Sequence, residues 1–200
     1  MIPRTVSSPR PARPEPPVTA AWLERVALHY LDRYGASSEM LRRVLTRRVE
    51  RRCRSREEDP SAHDNVIADT VARAQAAGLI DDARFAASRL RGLRRRGTST
   101  RQAQARLAAK GIDAETIAAT LAGEKEEAGG AEEGEADTEE KAARAYARRR
   151  RLGPYRRPDT REANRERDLA ALARAGFSYR LAKDVIGGDA ESDATSFDEE

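Results

Sequence analysis

Guanidinium groups recur at helical spacing in three separate stretches of this 200-residue chain, and they are the side chains through which it could act. Arg43, Arg47 and Arg51, with Arg54 beyond, follow one another at three- and four-residue steps. Arg84, Arg91 and Arg95 fall within about 40° of one another on a helix turned about 100° per residue, with Arg94 alongside. Lys141, Arg144, Arg148 and Arg151 repeat the pattern. Of the 38 basic residues, 34 are Arg, whose planar fork matches the oxygens of phosphates and carboxylates. A single stripe of this kind is what any solvated helix face shows. Three in succession, with few acids placed to neutralise them, favour binding of an extended polyanion or an acidic protein surface.

Catalysis has no comparable support. No phosphate-cradling loop, dinucleotide fingerprint or zinc-protease helix motif occurs. His29 stands in a helical stretch, and His63 beside Asp64 reads as a polar turn, not a dyad. A single cysteine cannot build a disulfide framework or a thiolate metal site. Cys53 follows Leu41, Leu45 and Val49 at four-residue steps, which assigns it to helix packing. The paired acids Glu126-Glu127 and Glu132-Glu133 lie in a Gly-containing stretch too loose for acid–base work. No catalytic, cofactor-binding or metal-binding residue is assigned, and no cofactor is expected.

The cations need helices to hold them in register, and helix signals dominate. Asp81 or Asp82 caps a helix whose stripe is Ala83, Ala86, Leu90 and Leu93, and Gly97 stops it. Ser99 with Gln102 opens a second helix, with Ala103 and Leu107 inward and Gly111 as its stop. Asp113 caps a third, carrying Ala114, Ile117 and Leu121. Helices this short need neighbours. The neighbours are weak repeats: Leu107 and Gly111 reappear as Leu172 and Gly176, while Gly35, Ser37, Leu41 and Leu45 match Gly97, Ser99, Ala103 and Leu107. In the first repeat the second helix is read as lengthened, running on through RRVERRCRSREED, residues 47–59.

The expected fold is all-α, an elongated array of three tandem three-helix repeats with disordered N-terminal, acidic-linker and C-terminal segments. Its boundaries are a Pro-rich tail at 1–19, repeats at 20–80, 81–122 and 141–188, an acidic linker at 123–140 and an acidic tail at 189–200. A mean hydropathy of -0.80 and 4% aromatic residues suit such an array better than one large core. Net charge is +4, but the linker carries -8 and the C-terminal tail -6 against +7 and +9 on 22–122 and 141–188. Both acidic segments are therefore expected to compete internally for the Arg faces. The N-terminus lacks a secretory h-region and no apolar run is long enough to span a bilayer, so a cytoplasmic protein with no membrane partner is expected.

The run from Gly78 to Asp113, GLIDDARFAASRLRGLRRRGTSTRQAQARLAAKGID, resembles the RecX family of recombination regulators. Gly176-Phe177-Ser178-Tyr179 resembles the turn near the end of that family's third repeat. The likeness covers about 22–122 and 141–187; the Arg/Glu-rich insert at 50–64 and the long acidic linker depart from the family pattern. The resemblance implies a non-enzymatic, monomeric regulator in DNA repair and the SOS response. Its partner would be the RecA recombinase filament, with single- or double-stranded DNA as a further ligand, and its main effect would be to inhibit ATP hydrolysis, filament growth and strand exchange. A stand-alone nucleic-acid-binding helical protein, architectural or transcriptional, is the other reading. On the residues alone, Asp81 and Asp82 are expected to cap the second repeat, while Leu79, Ile80 and Phe85 pack at the junction as scaffold.

Overall fold

Serine or aspartate side chains cap five of the α-helix starts among the described residues. The computed structural model describes residues 16–129 and 133–188, and among these all regular structure is helical. The α-helices are α1 (Ala20–Leu31), α2 (Ser38–Arg54), α3 (Asp64–Ala76), α4 (Asp82–Arg95), α5 (Thr100–Ala108), α6 (Ala114–Glu127), α7 (Glu133–Arg150), α8 (Arg161–Arg174) and α9 (Tyr179–Gly187). Ser37, Ser99 and Ser178 each accept the backbone N–H three residues on, opening α2, α5 and α9. Asp81 and Asp113 do the same for α4 and α6. The chain divides into two compact units, residues 1–80 and 81–200.

The first unit packs α1, α2 and α3. Leu41, Leu45, Val49 and Cys53 form one buried line along α2, met by Leu23 and Ala27 from α1 and by Ile67, Val71 and Ala74 from α3. The helical stripe and the buried Cys53 are as expected. The second helix is shorter than expected: α2 ends at Arg54, because Glu57 turns left-handed at φ 57° and a 3₁₀ turn follows at Pro60–His63.

The second unit holds two three-helix clusters. Ala86, Leu90 and Leu93 of α4 meet Ala103 and Leu107 of α5 and Ile117 and Leu121 of α6. Ala83 and Ala114, expected on these stripes, are exposed instead, because each lies in the first turn of its helix, ahead of the buried contacts. The other cluster joins Ala142, Ala143 and Ala147 of α7 to Leu169 and Leu172 of α8 and to Ala182, Val185 and Ile186 of α9. The extra residues before α8 form two 3₁₀ turns, the first held by Asp168, which is 1% exposed. Its carboxylate accepts the Gly153 N–H at 2.9 Å and the Arg156 fork at 2.7 and 3.0 Å. That pair raises the Arg156 pKa, the hydrogen bond to Asp168 outweighing burial.

The clusters of the second unit are tied directly together. Ser99 Oγ donates to the Ala175 carbonyl at 2.6 Å while accepting from Gln102 N–H at 3.4 Å. Gly97, at φ +71°, lies flat against α7, where a Cβ would stand 2.6 Å from Tyr146 Cα and 2.8 Å from the Ala142 carbonyl oxygen. The acidic stretch 123–140 is not the solvated linker its composition suggested. Its described parts belong to α6, through Glu127, to a turn at Ala128 and Gly129, and to α7, from Glu133. Thr19 caps α1 and Val18 packs on the first core, so the described end of the expected tail is ordered. The rest of that tail and the segment 189–200 lie outside the described residues.

Gly78 (φ +68°) has open space where a Cβ would stand, whereas Gly97 meets backbone. Gly78→Ala should cost only the left-handed penalty of about 1 kcal/mol. Gly97→Ala should cost about 4 kcal/mol through strain and overpacking together. Urea unfolding of the full chain, followed by far-UV circular dichroism, measures both, and equal losses would show that α7 does not rest on Gly97.

Candidate partner-binding surface

Each expected cationic stripe can be followed to its place. On α2, Arg43, Arg47 and Arg51 are exposed on the side away from Leu41, Leu45 and Val49. Arg43 Nε donates to Glu39 at 2.8 Å, and Arg47 Nε donates to the Arg43 carbonyl at 3.2 Å, which lays both side chains along the helix. On α4, Arg84, Arg91 and Arg95 are exposed, opposite the buried Ala86, Leu90 and Leu93.

Arg94 departs from the expected set. Its side chain is only 12% exposed and faces inward. Nε and one terminal nitrogen donate to Glu124 at 3.0 and 2.8 Å, and the other terminal nitrogen donates to Glu139 at 2.9 Å. The Thr98 carbonyl and the Thr100 hydroxyl accept from the same guanidinium at 3.2 and 2.9 Å. Burial works to lower its pKa, but the two carboxylates prevail and raise it above the ordinary value. Arg94 is a structural cross-link between α4, the start of α5, α6 and α7.

On α7, Lys141 pairs with Asp137 at 2.7 Å and Arg144 with Glu140 at 2.7 Å, while Arg148 is exposed. Arg151, expected on the same helical face, lies one residue past the end of α7 in left-handed backbone at φ 55°, so the stripe ends at Arg148. Between α4, α6 and α7 runs a groove of about 730 Å³ whose wall includes Arg95, Lys141, Arg144 and Arg148, with Glu127 and Asp137. The structure thus gathers cations from two expected stripes into one groove, and brings acids of the 123–140 stretch to them. Arg91 borders a separate groove of about 430 Å³ between α4 and α6.

The junction residues divide between the units. Ile80 is buried in the first core, Phe85 is half-buried against the second, Asp81 caps α4, and Asp82 opens the helix. Leu79 is 50% exposed and is not part of either core. Cys53 is unsuited to nucleophilic chemistry: burial raises its thiol pKa, Glu58 and Asp59 add to the effect, and Arg56 opposes it.

One surface went unread in the sequence. A groove of about 510 Å³ between α1 and α2 is lined by Trp22, Tyr30 and Tyr34 together with Arg25, Arg33 and Arg48. The Tyr30 and Tyr34 rings stand 5.2 Å apart, and the Arg52 guanidinium lies 3.9 Å over the Trp22 ring. A signal stands in the sequence: Trp22 and Tyr30 of α1 and Tyr34 just after it follow one another at eight- and four-residue steps, interleaved with Arg25 and Arg33.

Comparison with known proteins decides the family. The domain described as "RecX, second three-helix domain" matches residues 81–121, which are α4 to α6. The Regulatory protein RecX of Myxococcus xanthus is 43% identical over 177 residues, covering 88% of this chain and 89% of that protein. The chain belongs to the RecX family. The Regulatory protein RecX of Mycolicibacterium vanbaalenii is 33% identical, covering 78% of this chain and 85% of its own length. The Agrobacterium fabrum protein of the same name is 27% identical over 83% of this chain and 82% of its own. No solved structure matches the chain. Within this RecX-family chain, the matched second domain carries the exposed α4 cations and the inward Arg94 together, so the surface and its structural cross-link sit on one helix. Among the described residues no helix is long and apolar enough to cross a membrane.

Removing Arg94 leaves two partly buried carboxylates facing each other without a counter-charge. Arg94→Ala should therefore cost about 3 kcal/mol in denaturant unfolding of the full chain. Arg91→Ala and Arg95→Ala should each fall within about 0.5 kcal/mol of the parent. A thermal or urea midpoint for Arg94→Ala no lower than for its neighbours would show that the cross-link carries no stability.

Proposed function

We infer that this chain is a non-enzymatic cytoplasmic regulator of the RecA recombinase, acting as a monomer on the recombinase filament within homologous recombination and the SOS response. In this reading Arg43, Arg47 and Arg51 of α2, Arg84, Arg91 and Arg95 of α4, and Lys141, Arg144 and Arg148 of α7 meet acidic recombinase surfaces or the phosphates of the bound DNA. Occupying several subunits at once hinders ATP hydrolysis, filament growth and strand exchange. The observation that carries it is the run of cations on α2, α4 and α7, exposed apart from the half-buried Arg144, each on the side of its helix away from a buried stripe. The family of regulatory proteins to which the chain belongs supplies the identity of the partner. Several modest contacts on one ligand combine by effective concentration, so no single deep pocket is required.

A second reading, direct nucleic-acid binding without the recombinase, draws on the α1–α2 groove, where aromatic rings and arginines lie together. Bases stack on such rings while guanidinium groups follow the backbone. The two readings separate by experiment. A titration of the cognate recombinase's single-stranded-DNA-dependent ATPase should show inhibition at low stoichiometry. Combined Arg84→Ala, Arg91→Ala and Arg95→Ala should raise the half-inhibitory concentration about tenfold with little change in melting temperature, each lost contact being worth a fraction of a kcal/mol to about 1 kcal/mol. An ATPase untouched over a wide concentration range, with DNA affinity whose logarithm falls about 0.7 per phosphate contact against log salt, would establish the second reading instead.

The acids paired to α7 weaken its attraction for polyanions. Asp137→Asn with Glu140→Gln should release Lys141 and Arg144 and tighten DNA binding about threefold or more at low salt, the gain fading as screening rises. Fluorescence anisotropy at two salt concentrations reads this, and unchanged affinity at low salt would remove the internal-competitor role.

A further inference from the structure

Outside the cationic surface, one group of side chains converges without a role in either reading. Cys53 at the end of α2, Glu58 in the following loop and His63 in the 3₁₀ turn present a thiol sulfur, a carboxylate oxygen and an imidazole nitrogen all within 4.8 Å of one another. The sequence argues against a thiolate metal site because only one cysteine is present, but the chain brings donors of three kinds together within residues 53–63.

The backbone between them is shaped to do so. Glu57 adopts the left-handed conformation at φ 57°, which folds the loop back so that the Glu58 N–H donates to the Cys53 carbonyl at 3.1 Å. Pro60 opens the 3₁₀ turn, and Asp59 holds its start by accepting from the Ser61 N–H at 2.9 Å and the Ser61 hydroxyl at 2.6 Å. That turn carries His63 to the end of α2. Arg56 occupies one oxygen of Glu58 at 2.7 Å, leaving the carboxylate's second oxygen as a donor. Cys53 is wholly buried, whereas Glu58 and His63 are half-buried, which leaves an entry side toward solvent.

We propose that Cys53, Glu58 and His63 form a divalent transition-metal site, with zinc as its ion. A mixed sulfur, nitrogen and oxygen set is what zinc accepts, whereas calcium and magnesium take oxygen donors alone. A tetrahedral zinc with bonds of about 2.0–2.3 Å holds its donors about 3.3–3.7 Å apart, so the present spacing closes by rotamer adjustments of about 1 Å. On binding, the Cys53 thiol loses its proton to solvent as the zinc–sulfur bond forms. The neutral imidazole and the ionised carboxylate bind without any change of oxidation state, and a water fills the fourth position. The ion would fasten the 55–63 loop to the end of α2, acting as a staple inside the first unit.

The test uses the full chain without an affinity tag, titrated with zinc against a chromogenic chelator and, separately, with cobalt(II). The expected result is one ion per chain, with a thiolate-to-cobalt charge-transfer band in the near ultraviolet and visible bands of tetrahedral intensity. Zinc should also raise the urea midpoint of the first unit. Cys53→Ser and His63→Ala should each weaken binding about a hundredfold, with the charge-transfer band abolished in Cys53→Ser and retained at saturating cobalt in His63→Ala, and Glu58→Gln should weaken binding about tenfold. His29→Ala, on the exposed side of α1, should leave it unchanged. His63→Ala, altered in a half-buried turn, keeps the test decisive if Cys53→Ser fails to fold. Zinc affinity weaker than millimolar, cobalt bound without the thiolate band, or equal affinity in His63→Ala would each overturn the site.

Discussion

Within the second unit, one guanidinium joins four helices. Arg94 leaves α4 and reaches carboxylates from α6 and α7, which stand 30 and 45 residues further along the chain, as well as the start of α5. Only an arginine can do this, because its nitrogens point in fixed directions within a plane and stay charged under any ordinary condition. Glu139 completes the arrangement by also accepting the Thr100 N–H at 3.0 Å and the Thr100 hydroxyl. Every member of the cluster is satisfied, which is the condition under which partly buried charge stabilises and does not strain.

Around that charge cluster the contacts are close and small. Alanines at 142, 143 and 147 let α7 approach its neighbours, Gly97 removes the side chain that would hold it off, and Ser99 reaches across to the Ala175 carbonyl. A chain with 4% aromatic residues has little bulk with which to fill wide interhelical spaces. Close backbone approach and polar cross-links are the alternative, since dispersion needs contact and a buried polar atom needs a partner. The Asp168–Arg156 pair applies the same solution beneath the insert before α8.

The local grammar of the fold was legible in the residues. Asp81, Ser99 and Asp113 cap the helices they were expected to cap, and the apolar stripes of α2, α4 and α5 are buried as their spacing requires, first-turn positions aside. These features are short-range, decided by a hydrogen bond three residues away or by periodicity within one helix. What could not be read was long-range. Arg91, Arg94 and Arg95 look alike in sequence, and nothing within ten residues shows that only Arg94 turns inward. The acidic stretch was misjudged for the matching reason: its charge suggests solvated coil until the cation that neutralises it is known. Glu58 and His63 likewise meet Cys53 only because Glu57 reverses the chain. The aromatic groove between α1 and α2 differs, since Trp22, Tyr30 and Tyr34 stand close together in the sequence and its signal is local.

Fixing α4 to α7 also fixes the cations they carry. Arg95 on one helix and Lys141, Arg144 and Arg148 on the other face the same groove because the Arg94 cluster sets the separation of their backbones. A ligand that bridges both helices then encounters charges already in place, and the entropy of arranging the two helices has been lost at folding instead of at binding. The acids of the former linker have two consequences at once: Glu124 and Glu139 build the support, while Asp137 and Glu140 hold Lys141 and Arg144 in ion pairs along the groove wall. Exposed pairs of this sort contribute little to stability, so a polyanion can replace their carboxylates at small cost, whereas the inward pair resists exchange. The same segment therefore carries, within about one turn of α7, the inward-facing Glu139 and the acids Asp137 and Glu140 that pair with cations of the groove wall.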